Sequence, residues 1–164
     1  MSEDQRIQNE IIHGEYIREH GEEVWNWSSP AGKLRWARRC RLFKEFIGNR
    51  KSLVLEIGCG TGLFTQELAE TNNQIVAIDI SDALIEKAKE RVRAKNVEFV
   101  VDNAYQTKFN PDSYDFIVGS SSLHHLEADQ ALKEFARILK PGGGVMFTEP
   151  NMMNLQIALV KNIP

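Results

Sequence analysis

Only two cysteines, Cys40 and Cys59, occur in the 164 residues. That is too few for a disulfide framework, so a reducing, cytoplasmic setting is the expectation. No apolar run approaches the roughly 18 residues that a membrane span needs. The opening Met1-Ser2-Glu3-Asp4 has neither the basic flank nor the apolar stretch of a secretory signal. A surplus of one charge is also lacking. Twenty basic against 23 acidic side chains leave a net charge of −3, which counts against a general nucleic-acid binder. There are no internal repeats, no low-complexity tract, and no G-x-S-x-G elbow of the kind that presents a hydrolase serine. What remains is ordinary for one globular core: 42% hydrophobic and 26% charged residues. That composition excludes disordered and collagen-like architectures.

The first fifty residues are organised differently from the rest. Seven acids against Arg6 and Arg18 mark residues 1–24. Across 33–51 the balance inverts, with Lys33, Arg35, Arg38, Arg39, Arg41, Lys44, Arg50 and Lys51 against Glu45 alone. Ser29 before Pro30 reads as an N-cap followed by a proline at the first helical position. Trp36, Cys40, Phe43 and Ile47 recur at helical spacing and Gly48 offers a stop. The pattern predicts a helix over 30–47, apolar residues inward and arginines outward. Ile7, Ile11 and Ile12 suggest an earlier helix. From Lys51 onward, apolar strands alternate with helical patterns. Strands are expected at 53–57, 74–78, 96–101, 114–119 and 144–148. Helices are expected at 63–71, from a Ser81 cap to about residue 94, and over 128–139, with 140–143 as a turn. Strands that are apolar throughout and separated by helices imply a parallel sheet covered on both faces.

The strongest chemical signal is Val54-Leu55-Glu56-Ile57-Gly58-Cys59-Gly60-Thr61-Gly62, an E-x-G-x-G-x-G string between a strand and a helix. Glycines there let the backbone turn tightly and approach a ligand closely, and a helix start adds free N–H donors and positive dipole character. A polar or anionic ligand group is expected at that turn, on the carboxyl edge of the sheet. Asp79 closes the next strand 21 positions after Gly58. At that offset a carboxylate accepts hydrogen bonds from ribose hydroxyls, so a nucleoside-containing cofactor is expected. A dinucleotide site asks for G-x-G-x-x-G or G-x-G-x-x-A. Leu63 fills the last position counted from Gly58, and Thr65 fills it counted from Gly60. Glu56 would also repel a pyrophosphate while suiting a cationic amine. S-adenosylmethionine, with a sulfonium, an ammonium and no phosphate, meets those electrostatics.

Further segments follow in order: Ile78-Asp79-Ile80, Val101-Asp102-Asn103-Ala104, and Tyr114-Asp115-Phe116-Ile117-Val118 running on to Ser122-Leu123-His124-His125-Leu126. Leu139-Lys140-Pro141-Gly142-Gly143 closes the set. From about Lys51 to Pro150 the chain thereby resembles class I S-adenosylmethionine-dependent methyltransferases. It is most similar to the small-molecule branch containing the ubiquinone and menaquinone biosynthesis methyltransferases. The resemblance implies a Rossmann-like, doubly wound α/β sheet with strand order 3-2-1-4-5, residues 1–50 forming an N-terminal helical lid and 51–164 the cofactor-binding domain. It implies that Glu56, Gly58, Cys59, Gly60 and Gly62 wrap the methionine portion, that Asp79 holds the ribose, and that Ile80 packs on the adenine. The third segment meets the adenine amine through an acid and the ring through the N–H of Ala104. Where the family pattern has Gly-Asp this chain has Asp102-Asn103, so either the Asn103 side-chain oxygen or the Asp102 carboxylate makes that contact. Ser120 and its two serine neighbours are expected at the cofactor's amino-acid end. The implied reaction is in-line methyl transfer to a small-molecule acceptor, with S-adenosylhomocysteine as product, no assigned catalytic base and no metal.

Other residues carry plainer readings. Cys40 and Cys59 are small buried fillers. His124 and His125, adjacent on a helix, point in different directions and do not share a metal; they line the pocket or cap. Trp25, Trp27 and Trp36 either line a lid or pack the N-terminal helices onto the sheet. The basic stripe is a solvated helix face, or it meets an anionic substrate or a lipid headgroup. The family's sheet continues past strand five with a helix and two antiparallel strands, whereas only residues 151–164 follow here, with Leu155, Ile157, Leu159 and Val160 among them. The expectation is a truncated fragment of a longer protein, strands six and seven missing and strand five an exposed edge that invites self-association. Two rival functions stay open: an NAD(P)-binding oxidoreductase and a non-catalytic cofactor-binding module.

Overall fold

Five strands pair in parallel in the order β3-β2-β1-β4-β5: β1 (Leu53–Ile57), β2 (Gln74–Asp79), β3 (Val97–Val101), β4 (Tyr114–Ser120) and β5 (Leu139–Thr148). The helices are α1 (Glu3–Trp25), α2 (Pro30–Ile47), α3 (Leu63–Leu68), α4 (Asp82–Arg91) and α5 (Ala128–Ile138). The computed structural model describes residues 3–149. The expectations placed on the side chains of Ile7 and Trp25 and on 151–164 lie outside the described residues.

Successive side chains point to opposite faces of a strand, so each strand feeds two cores. Val54, Ile75 and Ala77 join Phe43, Ile47, Phe64, Leu68 and Ile85 on the face covered by α2, α3 and α4. Leu55, Ile57, Val76 and Ile78 join Ala131, Phe135 and Ile138 of α5 on the other. Burial on both faces is why these strands read as unbroken apolar runs. The doubly wound expectation and its strand order are met.

Local signals set the helix ends. Ser29 Oγ accepts from Gly32 N at 3.0 Å, and Ser81 Oγ accepts from Leu84 N at 3.4 Å. Gly48 ends α2. α3 stops at Leu68 and α4 at Arg91, short of the expected 71 and 94. Two tertiary demands shorten them. Asn96 Nδ2 donates to the carbonyls of Ala69, Thr71 and Asn73, drawing that segment out of the helix. Val92 turns extended and buries its side chain. β5 starts at Leu139 rather than at 144. Tyr114 pairs with Leu139 and Phe116 with Gly144, so the expected turn at 140–143 is taken up as a bulge within the sheet. α1 lies close on α4 because Gly14 lacks a side chain: a Cβ there would come 2.9 Å from Ser81 Oγ. Farther along, Lys87 Nζ donates to the Arg18 carbonyl.

A buried carboxylate anchors the segment between β3 and β4. Glu134 Oε1 accepts from Thr107 N at 2.8 Å and from Thr107 Oγ1 at 2.5 Å, and Arg137 Nη2 donates to it at 2.6 Å. Arg137 foremost, with the Thr107 hydroxyl and amide helping, holds this carboxyl down at about 2 against the upward push of burial. A carboxylate depressed from its ordinary 4.5 stabilises the fold above that value, and the contribution is lost as pH falls through 2. Glu134→Gln is therefore expected to cost about 2–3 kcal/mol at neutral pH. It should also flatten the acid limb of stability, checked by urea unfolding across the pH range.

Candidate functional site

The carboxyl ends of β1, β2, β3 and β4 meet where the chain leaves β1 and β4 for opposite faces, the switch point at which open α/β sheets bind ligands. A pocket lies there. Its wall runs from Glu56 along Gly58, Cys59 and Gly60, past Asp79 and Ile80 to Asp102, Asn103 and Ala104, with Ser120 opposite. Gly14 and Ile17 of α1, Trp27, and Trp36 and Arg39 of α2 close over it. Of the residues expected from the sequence, Gly62 alone is away from the wall. It faces α4, where a Cβ would meet Ala88 Cα at 3.0 Å, and its φ is +75°.

The glycine loop is folded back on β2. Gly58 N and Cys59 N both donate to the Ile78 carbonyl, at 2.9 and 3.0 Å. Gly60 N donates to Asp79 Oδ2 at 2.9 Å, and Gly62 N to the Cys59 carbonyl at 3.0 Å. These four amides are spent holding the loop in place. Asp79 Oδ1 also accepts from Ser81 N at 3.0 Å.

Glu56 sits beneath this loop, 1% exposed, with no hydrogen-bond partner for Oε2. Burial pushes its carboxyl up to about 8; the Thr65 hydroxyl opposes the rise without completing a hydrogen bond, and the charge of Asp79 adds to it. A buried acceptor left unpaired costs on the order of 1–3 kcal/mol. A cationic donor in the pocket would relieve that cost and ionise the acid.

The third segment is braced internally. Asp102 Oδ1 accepts from Asn103 N at 2.9 Å and Oδ2 from Lys108 N at 3.1 Å. Asn103 Oδ1 accepts from Tyr105 N at 3.0 Å. Asp102 is thus a buried brace, while Asn103 keeps a second lone pair and its side-chain NH2.

Arg39 overturns the expectation that the α2 arginines all face outward. Its Nη1 donates to Ser120 Oγ at 2.7 Å and Ser121 Oγ at 3.1 Å, and its Cζ stands 5.0 Å from the Trp27 ring centroid. Burial lowers its pKa from the ordinary value, yet a guanidinium stays charged at neutral pH. No carboxylate among the described residues lies within ion-pair distance of it. The signal for it was present in the sequence: Arg39 follows Trp36 by three positions and precedes Phe43 by four, on the inward side of the helix. Charge alone had placed it outside.

The two histidines divide their work. His124 Nδ1 meets Glu149 Oε2 at 2.5 Å, and Leu123 N donates to Glu149 Oε1 at 2.9 Å. His125 lines the pocket with Leu126. Among the described residues no group of three His, Cys, Asp or Glu is placed to hold a metal. Burial raises the Cys40 thiol to about 12 and the Cys59 thiol well above its ordinary range, so neither supplies a thiolate nucleophile. No described helix is long and apolar enough to cross a membrane.

A doubly wound sheet with a glycine loop, an acid ending its second strand and a pocket at the switch point defines a nucleoside-binding α/β domain. Residues 54–143 match the model of the methyltransferase domain, and the chain belongs to that family. It is 34% identical over 113 residues to an uncharacterized methyltransferase of Geobacillus kaustophilus, covering 66% of this chain and 52% of that protein. It is 32% identical over 125 residues to a demethylmenaquinone methyltransferase of Staphylococcus aureus, covering 73% and 52%. A solved structure of Haemonchus contortus phosphoethanolamine N-methyltransferase 2, in complex with S-adenosyl-L-methionine, matches with a TM-score of 0.64 at 28% identity. That match covers 70% of this chain and 28% of the other. The chain spans about half the length of these two curated relatives.

Proposed function

We propose that the protein transfers a methyl group from S-adenosylmethionine to a small-molecule acceptor and releases S-adenosylhomocysteine. The observation that carries this reading is Glu56, a buried carboxylate with a partnerless oxygen on the pocket wall, beneath a loop in which the amides of Gly58, Cys59, Gly60 and Gly62 are already paired. Such a site accepts a cation.

The residues present fit S-adenosylmethionine. Glu56 would accept from its ammonium, and Arg39 beside Ser120 would hold its carboxylate. Gly58, Cys59 and Gly60 would lie along the methionine portion, with Gly62 seating the loop on α4. Asp79 would take the ribose hydroxyls, Ile80 would lie on the adenine, and Asn103 with the Ala104 N–H would meet its edge; Asp102 holds that segment in shape. When bound, the cofactor supplies a methyl group on a sulfonium for in-line displacement by the acceptor. The chain's own contribution is alignment and exclusion of water, and alignment of reactants reaches on the order of 7–11 kcal/mol at best. Residues 1–50 act as the lid over the residues that follow, with Ile17, Trp27 and Trp36 closing the opening. The aromatic lining suits an acceptor with a ring, in keeping with the demethylmenaquinone methyltransferase among the relatives. Free thiols at Cys40 and Cys59 support a cytoplasmic setting. The outer edge of β5, which no described strand covers, supports self-association.

Titration calorimetry tests the cofactor. S-adenosylhomocysteine is expected to bind and NADH is not; tight NADH binding with no response to S-adenosylhomocysteine overturns the reading. Single-turnover transfer of a labelled methyl group to a panel of phenol, amine and activated-carbon acceptors tests catalysis. Cofactor binding without transfer to any of them would favour a binding module.

A further inference from the structure

The pocket uses one arginine of α2 and leaves the rest of that helix's charge outside. Lys33, Arg35, Arg38 and Arg41 are all exposed, and the one acid of the helix, Glu45, lies 3.7 Å from Arg41 Nε. In a chain whose net charge is −3, this face is a local reversal of sign. It is not a plain solvated face either. Leu34 is 75% exposed and Leu42 37% exposed, and Arg38 lies midway between them, four positions from each. Positions four apart form a row along one side of a helix, so leucine, arginine and leucine follow one another on the surface.

A core-facing stripe would be buried, and a nucleic-acid face needs only the cations. Apolar side chains set between cations match a surface with an anionic skin and hydrocarbon beneath it. We propose that the outer face of α2 seats the protein on an anionic lipid bilayer. Leu34 and Leu42 enter between headgroups while Arg38 and Arg41 meet their phosphates. The placement bears on the pocket, because Arg35 on the edge of this face stands 5.8 Å from the ring centroid of Trp27, a residue of the pocket wall. Seating α2 therefore brings that wall toward the membrane. The inference is independent of methyl transfer, since vesicle binding is read without turnover.

Co-sedimentation of the full chain with vesicles tests it. Binding is expected to vesicles of equal parts phosphatidylcholine and phosphatidylglycerol, not to phosphatidylcholine alone, and it should fall as salt screens the charges. Arg38→Gln combined with Arg41→Gln should reduce the bound-to-free ratio roughly thirtyfold. Leu34→Asn, which keeps the charge, should reduce it about fivefold. All three side chains are exposed, and unchanged circular dichroism with unchanged S-adenosylhomocysteine affinity verifies that the variants fold. Failure of the folded wild-type chain to sediment with anionic vesicles overturns the proposal, as does unchanged sedimentation of the charge variant. Loss in the charge variant without loss in Leu34→Asn, together with RNA binding through the same arginines, assigns the face to nucleic acid and also overturns it.

Discussion

Glu56→Gln is expected to weaken S-adenosylhomocysteine binding by roughly 30–150-fold, the loss of a charge-assisted hydrogen bond of about 2–3 kcal/mol. The same substitution should stabilise the empty protein at alkaline pH. The sign follows from the raised acid. Unfolded, this carboxyl titrates near 4.5; folded, burial holds it at about 8. Between those values the native state keeps a proton that the unfolded state has released, so wild-type stability falls as pH rises through the window. Glutamine has no proton to lose, and the variant's stability profile should lack that slope. Ligand binding runs the other way. An ammonium in the pocket favours the ionised acid, so wild-type affinity should climb as pH approaches 8 and the proton need not be expelled, while the variant's stays flat. Calorimetry in two buffers of different ionisation enthalpy reads the released proton directly. A variant that binds as tightly as wild type, with no proton released by either, would show that Glu56 does not meet the ammonium.

Gly62→Val should destabilise the fold by about 3 kcal/mol or more and abolish measurable cofactor binding with it. Two costs add. A β-branched residue at φ +75° carries about 1–2 kcal/mol of backbone strain. Its Cβ would also press on Ala88 at 3.0 Å, against helix backbone that cannot rotate aside. Relief requires the loop to lift from α4, which breaks its hydrogen bonds to Ile78 and Asp79. Gly142→Val is the control: φ there is +80°, but nothing lies within 4 Å of the added Cβ. It should carry the strain alone and leave S-adenosylhomocysteine affinity unchanged. Equal losses for the two variants in urea unfolding would mean that the Ala88 contact is slack.

Much of this was legible in the chain because short-range chemistry decided it. Ser29 and Ser81 cap helices as their spacing implied, and the runs around Val54, Ile75 and Ile117 are strands because both sides of each are buried. Glu56 and Asp79 reach the same pocket because parallel strands end at one edge. The errors share one cause. The length of α4, the start of β5 and the direction of Arg39 each depend on a partner distant in sequence: the burial of Val92, the pairing of Leu139 with Tyr114, and the hydroxyls of Ser120 and Ser121. Periodicity and charge report a residue's average preference for water, not the one neighbour that overrules it.

The glycine loop shows the division most clearly. The amino-acid sequence by itself determined where the loop lies, which acids flank it, and that a dinucleotide spacing is absent. Only the tertiary structure decided what the loop's amides do. Folded back on the end of β2, the amides of Gly58, Cys59 and Gly60 are consumed by Ile78 and Asp79, and the buried oxygen of Glu56 is left as an acceptor without a partner. The reason is physical. A backbone N–H bonds to whichever acceptor the fold brings within reach, and that acceptor belongs to a neighbouring strand whose register no local pattern encodes.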